Sequence, residues 1–382
     1  VGSEMCIRDR SEVFRIEGGN NNILENIDVH DGMAIGFYLV KGMNNLVLNC
    51  DAHDNYDGYS EGDSGNVDGF GGHANKETST GNIFRGCRAW NNGDDGFDLI
   101  NCYASYIIEY CWSFRNGYKP HSIESSGGNG AGFKSGGYGM GDIKKVPNPI
   151  PQHTVRYCLA YYNRQQGFYS NHHLGGLIFE NNTAYKNPSN YNMLNRKSSN
   201  EAVDVPGYGH IIKNNLSLSP RNSGGFPQHL INVDNTLSEI KNNSFAPNDL
   251  NLSESDFESL NEQELMGSRK SDGSLPDINF LRLTNHANFR FSGMGCFINE
   301  EAVDYSWIQE PAIVLENGVA RIVGEDSKSF NKFYVNGEEV SIENGIVDLT
   351  SMSGELNLKA ISENGAVTTP VSYTHLRAHE TG

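Results

Sequence analysis

"GNIFRGCRAWNNGDDGFDLI", residues 81–100, is the stretch on which the fold turns, because its pattern returns along the chain. It reads as a short apolar strand, a polar pair, a second short strand ending in a polar turn, and a Gly-Phe step. The strand–pair–strand order recurs in "NNILENIDVHD" (21–31), "NNLVLNCDAHDN" (44–55), "SYIIEYCWSFRN" (105–116), "HTVRYCLAYYN" (153–163), "LIFENNTAYKN" (177–187), "HIIKNNLSLSP" (210–220) and "SEIKNNSFAP" (238–247). One column of this alignment runs Ile27, Cys50, Cys87, Cys111, Cys158, Asn182, Asn215 and Asn243, with shortest spacings of 23 and 24 residues. Short strands at that period, with no helical periodicity between them, predict an all-β chain built as a right-handed parallel β-helix, its coils stacked about 4.8 Å apart.

Cys50, Cys87, Cys111 and Cys158 then form an internal ladder, and the neighbouring asparagines are expected to hydrogen-bond along the turn. Disulfides are the alternative, but side chains stacked in parallel have poor geometry for the bond. Buried thiols serving as small apolar filler are the expectation. A second column carries Gly-Phe, in "AIGFYL", "VDGFGG", "DDGFDL", "GAGFKS" and "QQGFYS", with Phe37, Phe70, Phe97, Phe133 and Phe168 as its inward stack. The first column leads the glycine of the second by 9 residues at Ile27, Cys87 and Cys158, but by 19 at Cys50 and 21 at Cys111. Two coils therefore carry insertions of 10 and 12 residues just before the Gly-Phe strand, within "NYDGYSEGDSGN" (55–66) and "GYKPHSIESSGGN" (117–129). Both rise from one flank, where long loops of a solenoid wall a binding cleft.

The two ends are set apart from this reading. "VGSEMCIRDR" (1–10) resembles the translation of a sequencing-library adapter, and Val371–Thr381 resembles its reverse complement, so residues 1–10 and 371–382 are read as adapter-like scars outside the fold. The natural part is expected to run from about Ser11 to Pro370, truncated at both ends, so a missing signal peptide says nothing about localisation. Its length predicts one large domain and a second piece. The formal net charge of −18 belongs wholly to this part, since the excluded ends carry equal numbers of acids and bases. Nucleic acid is thus not an expected partner, and a polyanionic substrate would need a bound cation. No apolar run approaches the length of a membrane span. Asn and Gly are abundant and helix formers sparse across residues 20–245, as a turn-rich β body requires.

Aligned on Gly-Phe, the residue before Gly is Ile35, Asp68, Asp95, Ala131 and Gln166 on successive coils, and the residue after Phe is Tyr38, Gly71, Asp98, Lys134 and Tyr169. Asp68 and Asp95 become vertical neighbours with Asp94 beside them, and Lys134 stands in the column of Asp98 one coil on. Four carboxylates in one patch repel one another strongly enough to raise some of their pKa values. A hard divalent cation removes the conflict, and all-oxygen, carboxylate-rich coordination suits Ca²⁺ better than Zn²⁺ or Mg²⁺. The alternative is a solvated cluster of turn residues. Lys134, among small neighbours in "GNGAGFKSGG" (128–137), is reachable by a large ligand. Beside a bound Ca²⁺ its pKa is expected below the ordinary value of about 10.4, and a neutral amine can act as a base.

"VDGFGGH", "NNGDDGFDLI" and "GNGAGFKSGG" resemble the family 9 polysaccharide lyases, pectate lyases and related enzymes built on a right-handed parallel β-helix. The resemblance implies that Asp68, Asp94, Asp95 and Asp98 bind Ca²⁺ and that Lys134 is the Brønsted base. It runs over roughly residues 20–295, including "SDGSLPDINFLRL" (271–283), which looks like the family's closing segment. The implied reaction is β-elimination on a 4-linked uronate, with an acidic plant-type polysaccharide as partner, no membrane partner, a monomeric state and a secreted or cell-surface location. Arg164, Lys119 and His121 are candidates for contacts to other uronates, against a bland reading as ordinary surface.

The β-helix is expected over residues 11–300. From Asp304 to Pro370 the pattern changes: "AIVLENGVARIVG", "KFYVNGEEVSIENGIVDLT" and "ELNLKAI" alternate and are joined by Asn-Gly and Glu-Asn-Gly turns, the signature of antiparallel hairpins. A small, truncated β-sandwich is predicted, read as a spacer rather than a carbohydrate binder. Two rival functions stand beside the lyase. An inverting polygalacturonan hydrolase would use paired carboxylates and no Ca²⁺. A Ca²⁺-stabilised adhesin or glycan-binding solenoid would keep the metal and tolerate replacement of Lys134.

Overall fold

Eight strands, one per coil, pair in parallel through the Gly-Phe column, from Phe14–Ile16 through Phe37–Leu39, Phe70–Gly72, Phe97–Asp98, Phe133–Lys134, Phe168–Tyr169 and Tyr191–Asn192 to Leu230–Ile231. These positions come from a computed structural model, described here over residues 12–59, 64–138, 146–221, 228–298, 312–316, 318–323, 327–343, 345–352, 354–363, 368 and 371–375. The predicted register holds: Phe37, Phe70, Phe97, Phe133 and Phe168 are successive partners. Their buried rings stack with centroids 4.8 to 5.0 Å apart, one rung per ring. A second sheet of eight strands runs from Ile23–Glu25 to Glu239–Lys241, and a third of seven from Asp28–His30 to Leu216–Leu218, all parallel. Three faces around one buried core make the β-helix.

The polar pair between the second and third sheets has a backbone reason. Its first residue takes a left-handed conformation on every coil: Asn26, Asn49, Gly86, Tyr110, Tyr157, Asn181, Asn214 and Asn242 have φ between 52° and 64°. Asn and Gly adopt that conformation most readily, which accounts for their abundance. Tyr110 and Tyr157 are the exceptions, and their rings stack at 4.8 Å. The cysteines that follow are free and buried; the Cys87 thiol, for example, donates to Arg85 O at 3.3 Å. Below them the same column continues as an asparagine ladder, Asn182 Nδ2 donating to Asn215 Oδ1 and Asn215 Nδ2 to Asn243 Oδ1. A second ladder, Asn55–Asn92–Asn116–Asn163–Asn187, runs just ahead of the Gly-Phe sheet with amide-to-amide distances of 2.8 to 3.1 Å.

Two features of this body carry no signal in the repeat. An antiparallel hairpin, Leu194–Ser198 with Glu201–Pro206, projects after the strand Tyr191–Asn192. The segment around 250–297, with the short helix Asn285–Arg290, lays Phe257, Leu265, Phe280 and Phe291 over Trp90, Phe114, Tyr161 and Tyr185 on the outside of the third sheet. A buried ion triad fastens it: Arg88 Nη2 lies 2.6 Å and Arg269 Nη2 2.5 Å from the Asp51 carboxylate, and Arg88 Nη1 also donates to Gly267 O at 2.8 Å.

The C-terminal piece forms two antiparallel sheets, Ala312–Glu316 with Val319–Val323 and Ile346–Asp348, and Glu338–Val340 with Phe330–Val335, Gly354–Ser362 and Val371–His375. They share one core that includes Leu315, Phe333, Leu349 and Leu358. Val371–His375 thus pairs along Gly354–Leu358 although the sequence reading excluded it; backbone pairing needs only an extended edge, whatever the origin of the residues. Val314 and Val323 pack on Leu46, Leu48 and Ile83 of the second β-helix sheet. Among the described residues no helix is long and apolar enough to cross a membrane.

Candidate active site

The acidic patch lies on the outer face of the Gly-Phe sheet, where register puts Gly71, Asp98, Lys134 and Tyr169 in one outward column. A side chain at Gly71 would meet Tyr38 and Ile35, so glycine there makes room for those two side chains below Asp98. Asp68, Asp95 and Asp98 each present an oxygen within 4.8 Å of the others. Asp68 (1% exposed), Asp94 (4%), Asp95 (0%) and Asp98 (4%) are all buried, as is Lys134 (7%). Lys134 Nζ lies 3.0 Å from Asp95 Oδ2 and 3.0 Å from Asp98 Oδ2. One ammonium therefore faces four buried carboxylates.

Backbone amides fix each carboxylate. Asp68 Oδ1 accepts from Asp95 N at 3.0 Å, Asp95 Oδ1 from Ala131 N at 2.6 Å and Asp98 Oδ1 from Ile100 N at 2.7 Å. Asp94 is placed differently from its three neighbours, outside the set that converges within 4.8 Å. Its Oδ2 accepts from Asn66 N at 2.7 Å and its Oδ1 from Asn129 N at 2.5 Å. Those two amides close the two inserted loops, so Asp94 ties both loops to the sheet. Each of its oxygens keeps a second lone pair. Ser126 Oγ also donates to Gly117 O, at 2.9 Å, inside the second loop.

Burial, then Asp94, Asp98 and Asp95, pushes the Asp68 carboxyl well above its ordinary range. Burial and Asp94 push Asp95 up to about 8 against the pull of Lys134. Asp95 Oδ2, though close to Lys134 Nζ, is buried and accepts no well-formed hydrogen bond. Buried carboxylates that resist ionisation, converging oxygens and an oxygen left without a donor fit a hard, all-oxygen-ligated divalent cation. The expected lowering of the Lys134 pKa reverses here. Burial works against its ammonium, but Asp95, Asp98 and the other two carboxylates outweigh burial and hold it well above 10.5. The sequence expectation had a cation in place; the carboxylates alone act with the opposite sign.

The three peripheral candidates do not join this cluster. Lys119 Nζ pairs with Glu124 at 3.0 Å on the exposed second loop, where His121 is also exposed. Arg164 packs its Cβ against Gly117 and Gly130 at the loop's root, with its Nε buried and without a hydrogen-bond partner. Other neighbours were not singled out by the repeat. His73 Nδ1 lies 2.9 Å from Tyr38 Oη. Tyr169, one rung beyond Lys134, has its hydroxyl 3.1 Å from His172 Nε2. The Gly-Phe alignment contained Tyr38 and Tyr169, whereas their partners lie outside the periodic positions.

A parallel β-helix bearing a buried acid cluster and one lysine on a single outer sheet defines a class of protein, and comparison with known chains narrows it. Residues 3–228 match the family model of the Pel9A-like right-handed β-helix region, and residues 234–369 match a rhamnogalacturonan lyase-like C-terminal region. The chain belongs to the Pel9A-like family of β-helix proteins, the family 9 polysaccharide lyases. Pectate lyase L of Dickeya chrysanthemi is 34% identical over 289 residues, covering 75% of this chain and 60% of that protein. Among solved structures, a rhamnogalacturonan lyase shares 56% identity with a TM-score of 0.71, covering 76% of this chain and 69% of that one. The crystal structure of pectate lyase Pel9A shares 34% identity with a TM-score of 0.54, covering 70% and 59%. The chain spans about 60% of the length of the first curated relatives it matches. The two regional matches meet near residue 230, whereas the coils continue to Glu239–Lys241.

Proposed function

We propose that the protein is a Ca²⁺-dependent polysaccharide lyase that cleaves chains containing 4-linked uronate by β-elimination, with Lys134 as the base. The observation that carries this reading is the buried Asp68–Asp95–Asp98 convergence with Lys134 Nζ 3.0 Å from two of its members. Asp68, Asp95 and Asp98 would hold the cation, with Asp94 beside them. Bound there, Ca²⁺ supplies positive charge that neutralises the substrate carboxylate and favours the negative charge developing next to it. Carboxylates committed to a cation no longer hold the Lys134 ammonium, and burial then favours the neutral amine. Lys134 Nζ takes the C5 proton, the C4–O bond breaks and a 4,5-unsaturated uronate remains. The inserted loops, pinned by Asp94, position the chain along the sheet. A polymer of this size is met outside the cell, which fits a secreted or cell-surface enzyme.

A solved structure 56% identical to this chain bears the name rhamnogalacturonan lyase, and the C-terminal match is to a rhamnogalacturonan lyase-like region. Rhamnogalacturonan is therefore the favoured substrate, with polygalacturonate second. The test is ultraviolet absorbance of unsaturated product on both polymers, with Ca²⁺ and with chelator. Faster Ca²⁺-dependent product formation on rhamnogalacturonan is expected. The reverse preference returns the substrate to polygalacturonate, and saturated products alone would move the reading to a hydrolase.

A further inference from the structure

The elimination leaves one atom unprovided for: the oxygen expelled from C4 must gain a proton, and Lys134 has just taken one from C5. One rung beyond Lys134, in the same outward column, stands Tyr169. Its hydroxyl is 3.1 Å from His172 Nε2, and His172 Nδ1 is 2.6 Å from Asp204 Oδ1. Three separate segments supply this chain: the strand Phe168–Tyr169, the turn after it, and the outer strand Glu201–Pro206 of the hairpin.

Asn171 and His172 are consecutive non-glycine residues with φ of 54° and 56°, a conformation that costs energy and collects at functional sites. The strand Glu201–Pro206 is almost wholly exposed, so core packing does not account for it. The hairpin's first strand is instead anchored to the segment that follows Lys134, Arg196 Nη1 donating to Tyr138 O at 3.2 Å.

We propose that Tyr169 is the general acid of the elimination: His172 Nδ1–H donates to Asp204, Nε2 accepts the phenolic hydrogen at rest, and that hydrogen turns to the departing oxygen as the C4–O bond breaks. The assignment rests on the lyase reading above. As Lys134 Nζ takes the C5 proton, that bond's electron pair becomes the C4=C5 bond. The C4–O pair leaves on oxygen, and oxygen receives the proton from Tyr169 Oη. The phenolate is reprotonated from water. Reacting bonds on adjacent carbons call for a base and an acid a few ångström apart, the spacing that adjacent rungs provide. Burial, then Asp204, raises the Tyr169 phenol to about 12, so it keeps its proton at the alkaline pH that suits a lysine base.

The test compares two leaving groups. On the natural polymer, Tyr169→Phe should lose about 10²–10⁴-fold in kcat, the usual worth of a general acid. On an oligomer whose terminal galacturonate carries fluorine at C4, fluoride leaves as an anion and the loss should shrink to within about tenfold. His172→Gln should show the same dependence on leaving group, with a smaller loss. Equal losses on both substrates from a variant that unfolds at the wild-type temperature, or no loss on the polymer, would overturn the assignment. A wild type that forms no unsaturated product from any uronate polymer overturns the lyase reading itself, and this assignment with it.

Discussion

Asp95 sits where burial, neighbouring carboxylates and Lys134 contend, and its response to pH is a direct probe of the site. Its pKa of about 8 in the cation-free protein lies above the ordinary 3.8, so the folded state keeps a proton that the unfolded chain has lost. The Asp95 contribution to stability should then fall as pH rises from about 4 to about 8. With Ca²⁺ bound, that slope should vanish. Denaturant titrations at pH 5 and pH 8, in chelator and in Ca²⁺, test this; parallel behaviour in the two media would show that no cation engages Asp95. His53 adds a slope of the same sign. Burial lowers its pKa, but Asp28 and Asp54 outweigh burial and raise it from 6.5 to about 9, so its stabilisation is complete below 6.5 and lost through 9. The loss is common to both media and cancels in the comparison. At this scale the sequence was informative wherever a residue repeats in register: Asp68, Asp95, Asp98 and Lys134 fall together because the strand period fixes their column. Asp94's loop contacts and the Tyr169–His172–Asp204 chain arise from insertions, whose conformation no period dictates.

The elements that hold these residues are ladders rather than isolated contacts. Phe97 lies between Phe70 and Phe133, 4.8 and 5.0 Å away, directly beneath the acidic strand. Phe97→Ala should cost about 3–5 kcal/mol of unfolding free energy, the range for truncating a buried aromatic, and should also weaken cation binding. Asn116 accepts from Asn92 and donates to Asn163, Ala89 O and Ser113 Oγ. Replacing it with alanine strands several buried partners, at about 1–3 kcal/mol for each group left unsatisfied. Denaturant midpoints of the two variants measure both costs, and a change below about 1 kcal/mol in either would contradict the ladder account. The coils were legible because their chemistry is periodic: Asn and Gly mark left-handed corners, and Phe marks the inward stack. The hairpin Leu194–Ser198/Glu201–Pro206 was not, since a single insertion has no second copy with which to align.

Across the whole molecule, the closing segment is held by apolar packing and the Asp51 ion triad, and the C-terminal sheets meet the coils through an apolar contact. Asp51 lies between Arg88 and Arg269, and Asp51→Ala would leave two guanidinium groups, one buried and one half-buried, facing each other. A destabilisation of about 3–5 kcal/mol is expected, with earlier proteolysis within residues 250–297; unchanged protease resistance would mean that apolar packing alone holds the segment. None of the proposed site residues comes from the C-terminal sheets. A chain ending after residue 298 should therefore keep its elimination activity, while exposing Leu46, Leu48 and Ile83 should lower its solubility. Loss of activity in that shortened chain, assayed while soluble, would give the C-terminal sheets more than a spacing role. The antiparallel hairpins there were readable from their Asn-Gly turns, but the partner surface of Val314 and Val323 was not, because contact between two units leaves no local pattern.

The most direct test of the account is the rate of unsaturated-product formation by the wild type and by Lys134→Ala, on rhamnogalacturonan and polygalacturonate at alkaline pH, with Ca²⁺ and after chelation. The account predicts product only when Ca²⁺ and Lys134 are both present, with a fall of at least about 10²-fold on losing the lysine. Ca²⁺-dependent product at an undiminished rate from Lys134→Ala would contradict it, and would leave the acidic cluster with a cation but no base.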